Sequence, residues 1–341
     1  MAARLDPPSA LQAREIIDLR RLSARDLEPL LEEEIAAWQS ELEWDFAKSA
    51  DLVRRFVDLR ALNGCALIEG QRVSGYLYYV LEENKGLIGD LYLRRQYHTE
   101  EREDRLLEWA LQAITASPLA GRIESQLMML QFSPNRLVPF SQYLSSYERN
   151  FMRIDLRAAA LPETRLRRLV YLERWSDAYQ NAAASLIAAA YAGHVDSRIN
   201  DQYRSAAGAR RFLYNIVQYP GCGTFYRSAS YAAFEAPSGR LCGISLASIV
   251  ASGCGHITQI CVSPEVRGTG TGYALLRQSL KTLQEAGCRS ATLTVTAANE
   301  NAVKLYEQVG FRTIRKFWAY VWEGWQAEDA GTLTRREAPL R

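Results

Sequence analysis

Residues 267–272 read Arg-Gly-Thr-Gly-Thr-Gly, and they join a strand-like stretch, His256–Val262, to a helix-like stretch, Thr271–Ala286. Glycines free backbone N–H groups to approach an anion, and the N-terminus of the following helix adds about half a positive charge. The pattern therefore predicts a site for a pyrophosphate group.

Two other phosphate-binding loop motifs do not match these residues. The P-loop needs Lys and then Ser or Thr after its last glycine, where this chain has Tyr273 and Ala274, and the dinucleotide pattern lacks its third glycine.

A second motif follows the loop at residues 299–311, which read NENAVKLYEQVGF. The apolar spacing indicates a helix over Glu300–Val309, with Asn299 as its N-cap and Gly310 as its stop. The strand, the Arg-x-x-Gly-x-Gly loop, the helix and this downstream motif together resemble the acetyl-CoA signature of the GNAT superfamily of N-acetyltransferases. The resemblance covers residues 166–325, and it reaches the first half of the chain only through an internal repeat.

The resemblance implies an acetyl-CoA site in the second half of the chain. Backbone N–H groups from Arg267 to Gly272 would hold the pyrophosphate, and the strand before the loop would pair with the pantetheine arm. The resemblance also places Tyr306 near the cofactor sulfur and Asn299 within reach of the cofactor. The implied cofactor-binding residues are Ile260, Cys261, Val262, Arg267, Gly268, Thr269, Gly270, Thr271, Gly272, Asn299 and Tyr306. No metal is implied.

Two residues are candidates for the catalytic chemistry, Tyr306 and His256. The resemblance assigns the tyrosine the role of protonating the leaving thiolate, and a phenol with an ordinary pKa of about 10 suits that role. The alternative is that Tyr306 packs at the start of its helix. An alkyl amine is an ammonium at neutral pH, so a base must take its proton. Several GNAT relatives have a glutamate where this chain has His256, whose imidazole is mostly neutral at that pH; the alternative is that His256 only opens the strand after a glycine turn.

The acceptor amine is expected near the first two helices of the second half of the chain, as the resemblance implies. His194, Asp196 and Tyr203 lie in that region. A His-x-Asp cluster suits the binding of an amine or the relay of a proton. It equally suits a loop between helices that is held together by its own side-chain hydrogen bonds. The three residues are therefore candidate substrate contacts, and the self-bonded loop stays open as the alternative.

An internal repeat relates the two halves of the chain. Residues 86–111 (GLIGDLYLRRQYHTEEREDRLLEWAL) align without a gap with residues 255–280 (GHITQICVSPEVRGTGTGYALLRQSL), at an offset of 169 residues. Each segment reads as a strand, a loop and a helix. With the resemblance, the repeat predicts an α/β (α+β) chain of two tandem GNAT folds, each a mixed, mostly antiparallel twisted sheet flanked by helices. The predicted domains are a degenerate copy over 15–157 and a catalytic copy over 166–326.

The first copy lacks the pyrophosphate loop. In the alignment Arg267 falls on His98, while Gly270 and Gly272 fall on Glu101 and Glu103. Carboxylates at these positions would repel a pyrophosphate, whereas at a helix start they complement the helix dipole by about 0.3–1 kcal/mol each. We therefore expect one cofactor per chain, with the first copy supporting the second or shaping its acceptor cleft.

Composition narrows the class of protein and its compartment. The chain of 341 residues is 48% hydrophobic and 23% charged, with a net charge of +2 and no dense run of Lys or Arg. Neither nucleic acid nor a membrane is therefore expected as a partner. The N-terminal residues lack the apolar stretch of a secretory signal, and the six cysteines form no Cys-x-x-Cys pair, so we expect a cytoplasmic protein. The sequence does not predict the oligomeric state.

The leading functional prediction is an acetyl-CoA-dependent N-acetyltransferase. It would move the acetyl group to a primary amine, on a small molecule or a protein, by direct attack in a ternary complex. The tandem arrangement also resembles mycothiol synthase, and a non-catalytic acyl-CoA sensor or interaction module is a further alternative. Tandem GNAT peptidyltransferases that use aminoacyl-tRNA are disfavoured by the near-neutral charge and the intact glycine loop.

Overall fold

Strands and helices alternate along the chain in the computed structural model, which describes residues 15–163, 166–219, 221–236 and 238–325. The strands of these residues are β1 Glu15–Asp18, β2 Asn63–Glu69, β3 Arg72–Glu82, β4 Lys85–Leu93, β5 Arg122–Gln126, β6 Leu144–Asp155, β7 Val170–Arg174, β8 Thr224–Phe225, β9 Tyr231–Glu235, β10 Arg240–Ala251, β11 Cys254–Val262, β12 Ser290–Thr296 and β13 Arg312–Glu323. The α-helices are α1 Ala24–Leu42, α2 Ala47–Asp58, α3 Glu100–Thr115, α4 Gln180–Ala190, α5 Asp196–Ile199, α6 Ala206–Gln218, α7 Thr271–Glu285 and α8 Glu300–Val309.

The chain divides into two compact units, and each unit is made of segments that are separated in the sequence. The described residues of the first unit are 15–34, 50–143 and 322–325, and those of the second unit fall within 35–49 and 144–321. These units differ from the predicted domain ranges, 15–157 and 166–326, of which residue 326 lies outside the described residues. The predicted ranges remain a proposal about where the two copies of the repeat begin and end.

The sheet of the first unit is mixed. Its strand order is β1-β2-β3-β4-β5, and all neighbours are antiparallel except β4 and β5, which are parallel. Helix α3 contacts β2, β3 and β4. The helix has buried apolar residues at helical spacing, among them Leu106, Leu107, Ala110, Leu111 and Ile114. Because these residues lie on one face, burying them holds the helix against the sheet.

The second unit has a sheet of the same kind. Its order is β7-β9-β10-β11-β12-β6-β13, with β11 and β12 parallel and the pairs β7/β9, β9/β10, β10/β11 and β12/β6 antiparallel. Helices α4 and α6 pack on each other, and α4 also packs on β10. Helix α7 contacts β9, β10 and β11. The mixed, mostly antiparallel sheets with flanking helices confirm the predicted fold class.

The repeat is visible in the bounds of the elements. Strand β4 and the short helix Arg95–Tyr97 coincide, after a shift of 169 residues, with β11 and the short helix Pro264–Val266. Both strands carry a bulge at the same place, where Gly89 and Thr258 are skipped in the pairing. Each unit has one parallel pair, β4 with β5 and β11 with β12, and each pair extends over only four residues. These coincidences confirm that the two halves contain copies of one fold.

Strand β6 was not predicted from the sequence. It follows the first copy along the chain, yet it pairs antiparallel with β12 of the second unit from Asp155 opposite Ser290 to Arg149 opposite Thr296. The segment 35–49 also belongs to the second unit, where the N–H of Asp45 donates to the carbonyl of Val250 at 2.8 Å.

The helices of the described residues are too short or too polar to cross a membrane. Within the same residues, no three His, Cys, Asp or Glu side chains come together in a group that could hold a metal ion.

Candidate active site

Strands β11 and β12 separate part-way along their length. They pair in parallel from Cys254 opposite Ser290 to Ile257 opposite Leu293, and the bulge at Thr258 follows directly. Beyond the bulge, β11 stays paired with β10 on one side only, as far as Val262. The backbone groups on the other side of β11 are therefore placed to bind an extended ligand in the manner of an added strand.

The glycine loop follows β11 and leaves the start of α7 open. Gly268 and Gly270 have φ angles of 72° and 92°, in the left-handed region where a side chain would add strain. Gly270 occupies the N-cap position of α7, and the helix begins there without a side-chain cap. The first N–H groups of a helix have no partner within the helix, so here they face outward and favour an anion.

The loop is braced by its own polar side chains. The hydroxyl of Thr269 donates to the carbonyl of Val266 at 2.7 Å and lies 2.9 Å from the hydroxyl of Thr271. The guanidinium of Arg267 donates to the carbonyl of Ala190, at the end of α4, at 2.6 Å. These contacts hold the loop in shape.

A cavity of about 660 Å³ lies between the open edge of β11 and the glycine loop. Among the predicted cofactor-binding residues, those that line it are Ile260, Cys261, Val262, Arg267, Gly268, Gly270, Gly272 and Asn299. Thr269 and Thr271 brace the loop and are not among the lining residues. Most of the predicted cofactor residues thus face one cavity, and their contact with a cofactor stays a prediction.

Asn299 caps the start of α8, and Tyr306 lies in the second half of the helix. The amide oxygen of Asn299 accepts from the N–H of Ala302 at 3.4 Å, which confirms the predicted N-cap. Tyr306 is only 8% exposed and makes an edge-to-face contact with Phe311. Burial, with a smaller contribution from the charge of Asp196, raises the pKa of Tyr306 above its ordinary value. Tyr306 is not among the cavity-lining residues, so the structure shows its packing role, and its catalytic role stays a prediction.

His256, the predicted general base, is buried away from the cavity. The imidazole is 6% exposed, stacks near Phe151 and meets the edge of Trp44 at a ring distance of 5.0 Å. Its Nδ1 lies 2.8 Å from the hydroxyl of Thr292. Burial lowers the pKa of His256 to about 3, and the residue does not line the cavity. A base must reach the proton that it removes, and the buried ring of His256 does not reach the cavity, so its role as a base stays a prediction that this geometry does not support.

The three candidate substrate residues lie close together, but only His194 lines the cavity. Its Nδ1 accepts a hydrogen bond from the N–H of Asp196 at 3.2 Å, while the carboxylate of Asp196 pairs with Arg149 at 3.0 Å. Tyr203 stacks on Tyr191 with ring centroids 4.5 Å apart. Since the Nδ1 of His194 is occupied by a donor, the neutral ring carries its hydrogen on Nε2 and serves as a donor. The predicted loop of self-bonded side chains is present around His194 and Asp196.

Two functional candidates were missed by the sequence analysis, Tyr191 and Gln259. Tyr191 lines the cavity at the end of α4, and its hydroxyl accepts from the side-chain amide of Gln259 at 3.0 Å. Gln259 lies on β11 directly after the bulge. Neither residue belongs to the two motifs. Only the alternation of side chains along β11 could have pointed to Gln259, because it lies two residues before Cys261 and so shares its face.

The matching region of the first unit is closed by its own side chains. Thr99 caps α3 by accepting from the N–H of Arg102 at 3.3 Å. Glu103, which falls on Gly272 in the repeat, is buried, lies 2.7 Å from the imidazole of His98 and pairs with the guanidinium of Arg136. The start of α3 is thus already supplied with a cap and with a neutralised carboxylate.

Comparison with known proteins gives a family match within the second unit. Residues 198–311 match the model of the Acetyltransferase (GNAT) family. The match covers about a third of the chain. An N-alpha-acetyltransferase from Arabidopsis thaliana is 30% identical over 73 residues, which are 21% of this chain and 38% of the relative. A mycothiol acetyltransferase from Paenarthrobacter aurescens is 42% identical over 57 residues, which are 17% of this chain and 18% of the relative. The chain thus matches less than half of the length of these curated relatives.

Solved structures extend the likeness of fold to most of the chain. A GCN5-related N-acetyltransferase from Sphaerobacter thermophilus has a TM-score of 0.67 at 16% identity, covering 90% of this chain and 95% of its own. A tandem GNAT protein from the clavulanic acid biosynthesis pathway has a TM-score of 0.58 at 16% identity, covering 92% of this chain and 100% of its own. At this identity the likeness shows the fold, which is that of a tandem GNAT protein.

Proposed function

We propose that the second unit transfers an acetyl group from acetyl-CoA to a primary amine. The observation that carries the proposal is the junction of an uncapped helix start, on α7, with the open edge of β11 along one cavity. An anion and an extended chain are the two parts of CoA that such a junction would bind. The names of the curated relatives, which are acetyltransferases, support the same reaction.

Each part of the cavity has a role in the proposal. The backbone N–H groups from Gly268 to Gly272 would hold the pyrophosphate, and the edge of β11 near Ile260 and Cys261 would hold the pantetheine arm. A backbone N–H of Cys261 or Val262 would donate to the carbonyl oxygen of the thioester as it gains negative charge. These groups are fixed by the fold, so little reorganisation is needed as the charge develops.

The reaction joins the amine nitrogen to the acetyl carbon and breaks the bond from that carbon to sulfur. The electron pair of the broken bond goes to sulfur, and one proton leaves nitrogen, so that the products are an amide and the thiol of CoA. Since His256 is buried and does not line the cavity, the amine would enter as the neutral species supplied by solvent. An acceptor whose pKa is lower than the value of about 10 of an alkyl amine would then react faster at neutral pH.

The experiment that tests the proposal is calorimetric titration of the full chain with acetyl-CoA, followed by thiol release with a panel of amines. The panel would contain glucosamine, a peptide with a free α-amino group, and a lysine peptide with a blocked N-terminus. We expect one acetyl-CoA per chain and thiol release with at least one amine. No binding would overturn the proposal, and two acetyl-CoA per chain would contradict a closed first copy. Binding without thiol release on any amine would favour the acyl-CoA sensor.

A second candidate is an acceptor of the kind used by mycothiol acetyltransferases. Several curated relatives carry that name, and the fold of this chain is tandem over nearly its whole length. A compound with a cysteinyl α-amino group, added to the same panel, distinguishes this acceptor from the others. A clear preference for it over glucosamine would favour the second candidate.

A further inference from the structure

The segment that connects the two predicted copies lies along helix α7. This connecting segment is residues 156–169, of which the structure describes 156–163 and 166–169. Three side chains of the helix, from Tyr273, Arg277 and Gln284, donate hydrogen bonds to main-chain carbonyls of the segment at 2.6–2.8 Å. The helix that begins at the glycine loop therefore sets the course of the connecting segment.

The far end of the connecting segment reaches the glycine loop itself. The backbone N–H of Arg167 donates to the carbonyl of Thr269, in the middle of the loop, at 3.0 Å. Tyr273 lines the cavity, and its hydroxyl is the one that donates to the carbonyl of Pro162. The connecting segment thus borders the cavity at the end where the glycine loop lies.

Arg167 brings a positive charge to this border. Arg157, in the same segment, pairs with Asp155, and Arg168 pairs with Glu235 at 3.0 Å. Arg167 is exposed, and its guanidinium has no hydrogen-bond or ion-pair partner in the part of the chain that the structure describes. Its charge is therefore available to a ligand that lies over the loop.

The ligand of the proposed function has one phosphate more than the loop accounts for. Besides its pyrophosphate, CoA carries a phosphate on the 3'-oxygen of its ribose, on the side of the pyrophosphate away from the pantetheine arm. A phosphate monoester carries nearly two negative charges at neutral pH, and a guanidinium matches its oxygens in a bidentate contact. Arg267 is the one Lys or Arg among the cavity-lining residues, and it donates to the carbonyl of Ala190. A cation for the 3'-phosphate would therefore come from beside the cavity.

We propose that Arg167 binds the 3'-phosphate of CoA, so that the connecting segment completes the cofactor site. The inference rests on the proposed function. The bond from Arg167 to Thr269 fixes the arginine relative to the loop that would hold the pyrophosphate. Two phosphate groups of one ligand would then be bound by adjacent parts of the chain. A protein built in this way distinguishes CoA from 3'-dephospho-CoA.

The test is calorimetric titration of the full chain with CoA and with 3'-dephospho-CoA, which lacks only that phosphate. We expect the unmodified chain to bind CoA about tenfold more tightly than 3'-dephospho-CoA. An Arg167→Gln variant should bind the two ligands equally, and it should bind 3'-dephospho-CoA as tightly as the unmodified chain does. Because the bond to Thr269 comes from the backbone, the substitution leaves that contact in place.

Two further variants separate the contact with phosphate from a general effect of charge. Arg168→Gln removes the same charge from the next residue, whose guanidinium is already paired with Glu235, and the preference for CoA should remain. Arg167→Lys keeps the charge but loses the bidentate geometry, so part of the preference should remain.

The outcomes distinguish the inference from the proposed function. If the unmodified chain binds neither ligand, both are overturned. If it binds CoA and 3'-dephospho-CoA equally, the inference alone is overturned. The inference is also wrong if the preference survives in Arg167→Gln, or if Arg168→Gln removes it to the same extent. Equal weakening of both ligands by Arg167→Gln would show that the arginine acts on the loop and not on the 3'-phosphate.

Discussion

Helices α3 and α7 differ in how the N–H groups of their first turn are capped. Both helices follow a strand with the same bulge and a short helix at the same offset, and both must satisfy the N–H groups of their first turn. At α3 the chain supplies a cap from Thr99 and the buried carboxylate of Glu103. At α7 it supplies glycines and no side-chain cap, which leaves the N–H groups for a ligand.

The comparison shows that the first copy fills, with its own carboxylate, the position at the helix start that the second copy leaves open. Glu103 stands where the second copy has Gly272, so a carboxylate of the chain is at the helix start in place of an outside anion. Arg136 and His98 surround that carboxylate. The sequence analysis assigned these carboxylates two effects, repulsion of a pyrophosphate and stabilisation of the helix start, and the structure adds that Glu103 has its own cation, Arg136.

The largest predicted effect is the loss of stability when Arg136, the cation beside Glu103, is removed. Arg136 and Glu103 are each 1% exposed, and Arg136 also pairs with Asp104 at 2.5 Å. An Arg136→Met variant leaves a buried carboxylate without its guanidinium, which should lower the free energy of unfolding by about 3–5 kcal/mol, measured with urea. The control is Arg157→Met, which breaks the exposed pair with Asp155 and should change the free energy of unfolding far less. Equal losses in the two variants would contradict a buried internal anion site.

The next largest effect should be on acetyl-CoA binding, when a carboxylate of the first copy is placed in the glycine loop of the second. A Gly270→Glu variant adds a carboxylate and a strained backbone at the open start of α7. Like charges about 5 Å apart repel by about 3 kcal/mol at an effective dielectric constant of about 20, so acetyl-CoA should bind at least about a hundredfold more weakly. The control is Gly287→Glu, at a glycine of similar φ beyond the other end of α7. Calorimetry should show near-normal binding in the control; weakened binding in both variants would mean that strain, and not charge, is the cause.

The smallest effect should be a pH dependence from His98. Its hydrogen bond to Glu103 raises the pKa of His98 in the folded chain. The resulting stability is fully present below the ordinary pKa of about 6.5 and is lost as the pH rises through the raised pKa. A His98→Gln variant should therefore lose more stability, relative to the unmodified chain, at about pH 5.5 than at about pH 8.5. A difference in unfolding free energy that stays constant with pH would show that the imidazole contributes no charge to the cluster.

Local signals in the sequence predicted the parts of the second copy that depend on neighbouring residues. The cap of α8 by Asn299, the left-handed Gly310 that ends it and the glycine loop before α7 are found where the sequence placed them. The repeat was detectable because each copy keeps the apolar spacing of its strand and helix. Such features follow from backbone conformation and short-range periodicity, so one sequence is enough to find them.

Strand β6 was missed because its charges hide the pattern of a strand. It contains Glu148, Arg149 and Arg153, which would be read as a polar loop. In the structure each charge has a partner from a distant part of the chain: Lys316, Asp196 and Glu43, respectively. Pairings of this kind have no local signature.

The burial of His256 was not detected in the sequence for the same reason. The residue that covers its ring, Trp44, is far away in sequence, and nothing near His256 indicates burial. The hydrogen bonds that join Gln259 on β11 to Tyr203 and Tyr191 also connect a strand to a helical region. Contacts of this kind are set by the fold, and a motif search does not detect them.

The division of each unit between distant parts of the chain has a consequence for biosynthesis. The first unit includes the end of β13, where the indole of Trp322 donates to the carbonyl of Pro139 at 3.0 Å and Glu323 pairs with Arg122. A ribosome releases these residues only after the whole second unit has been made. The first unit therefore cannot finish folding until the second unit has been translated. Until then, part of the core of the first unit is unfilled. Long-range closure of this kind slows folding, so a truncation at the C-terminus should damage the unit made first.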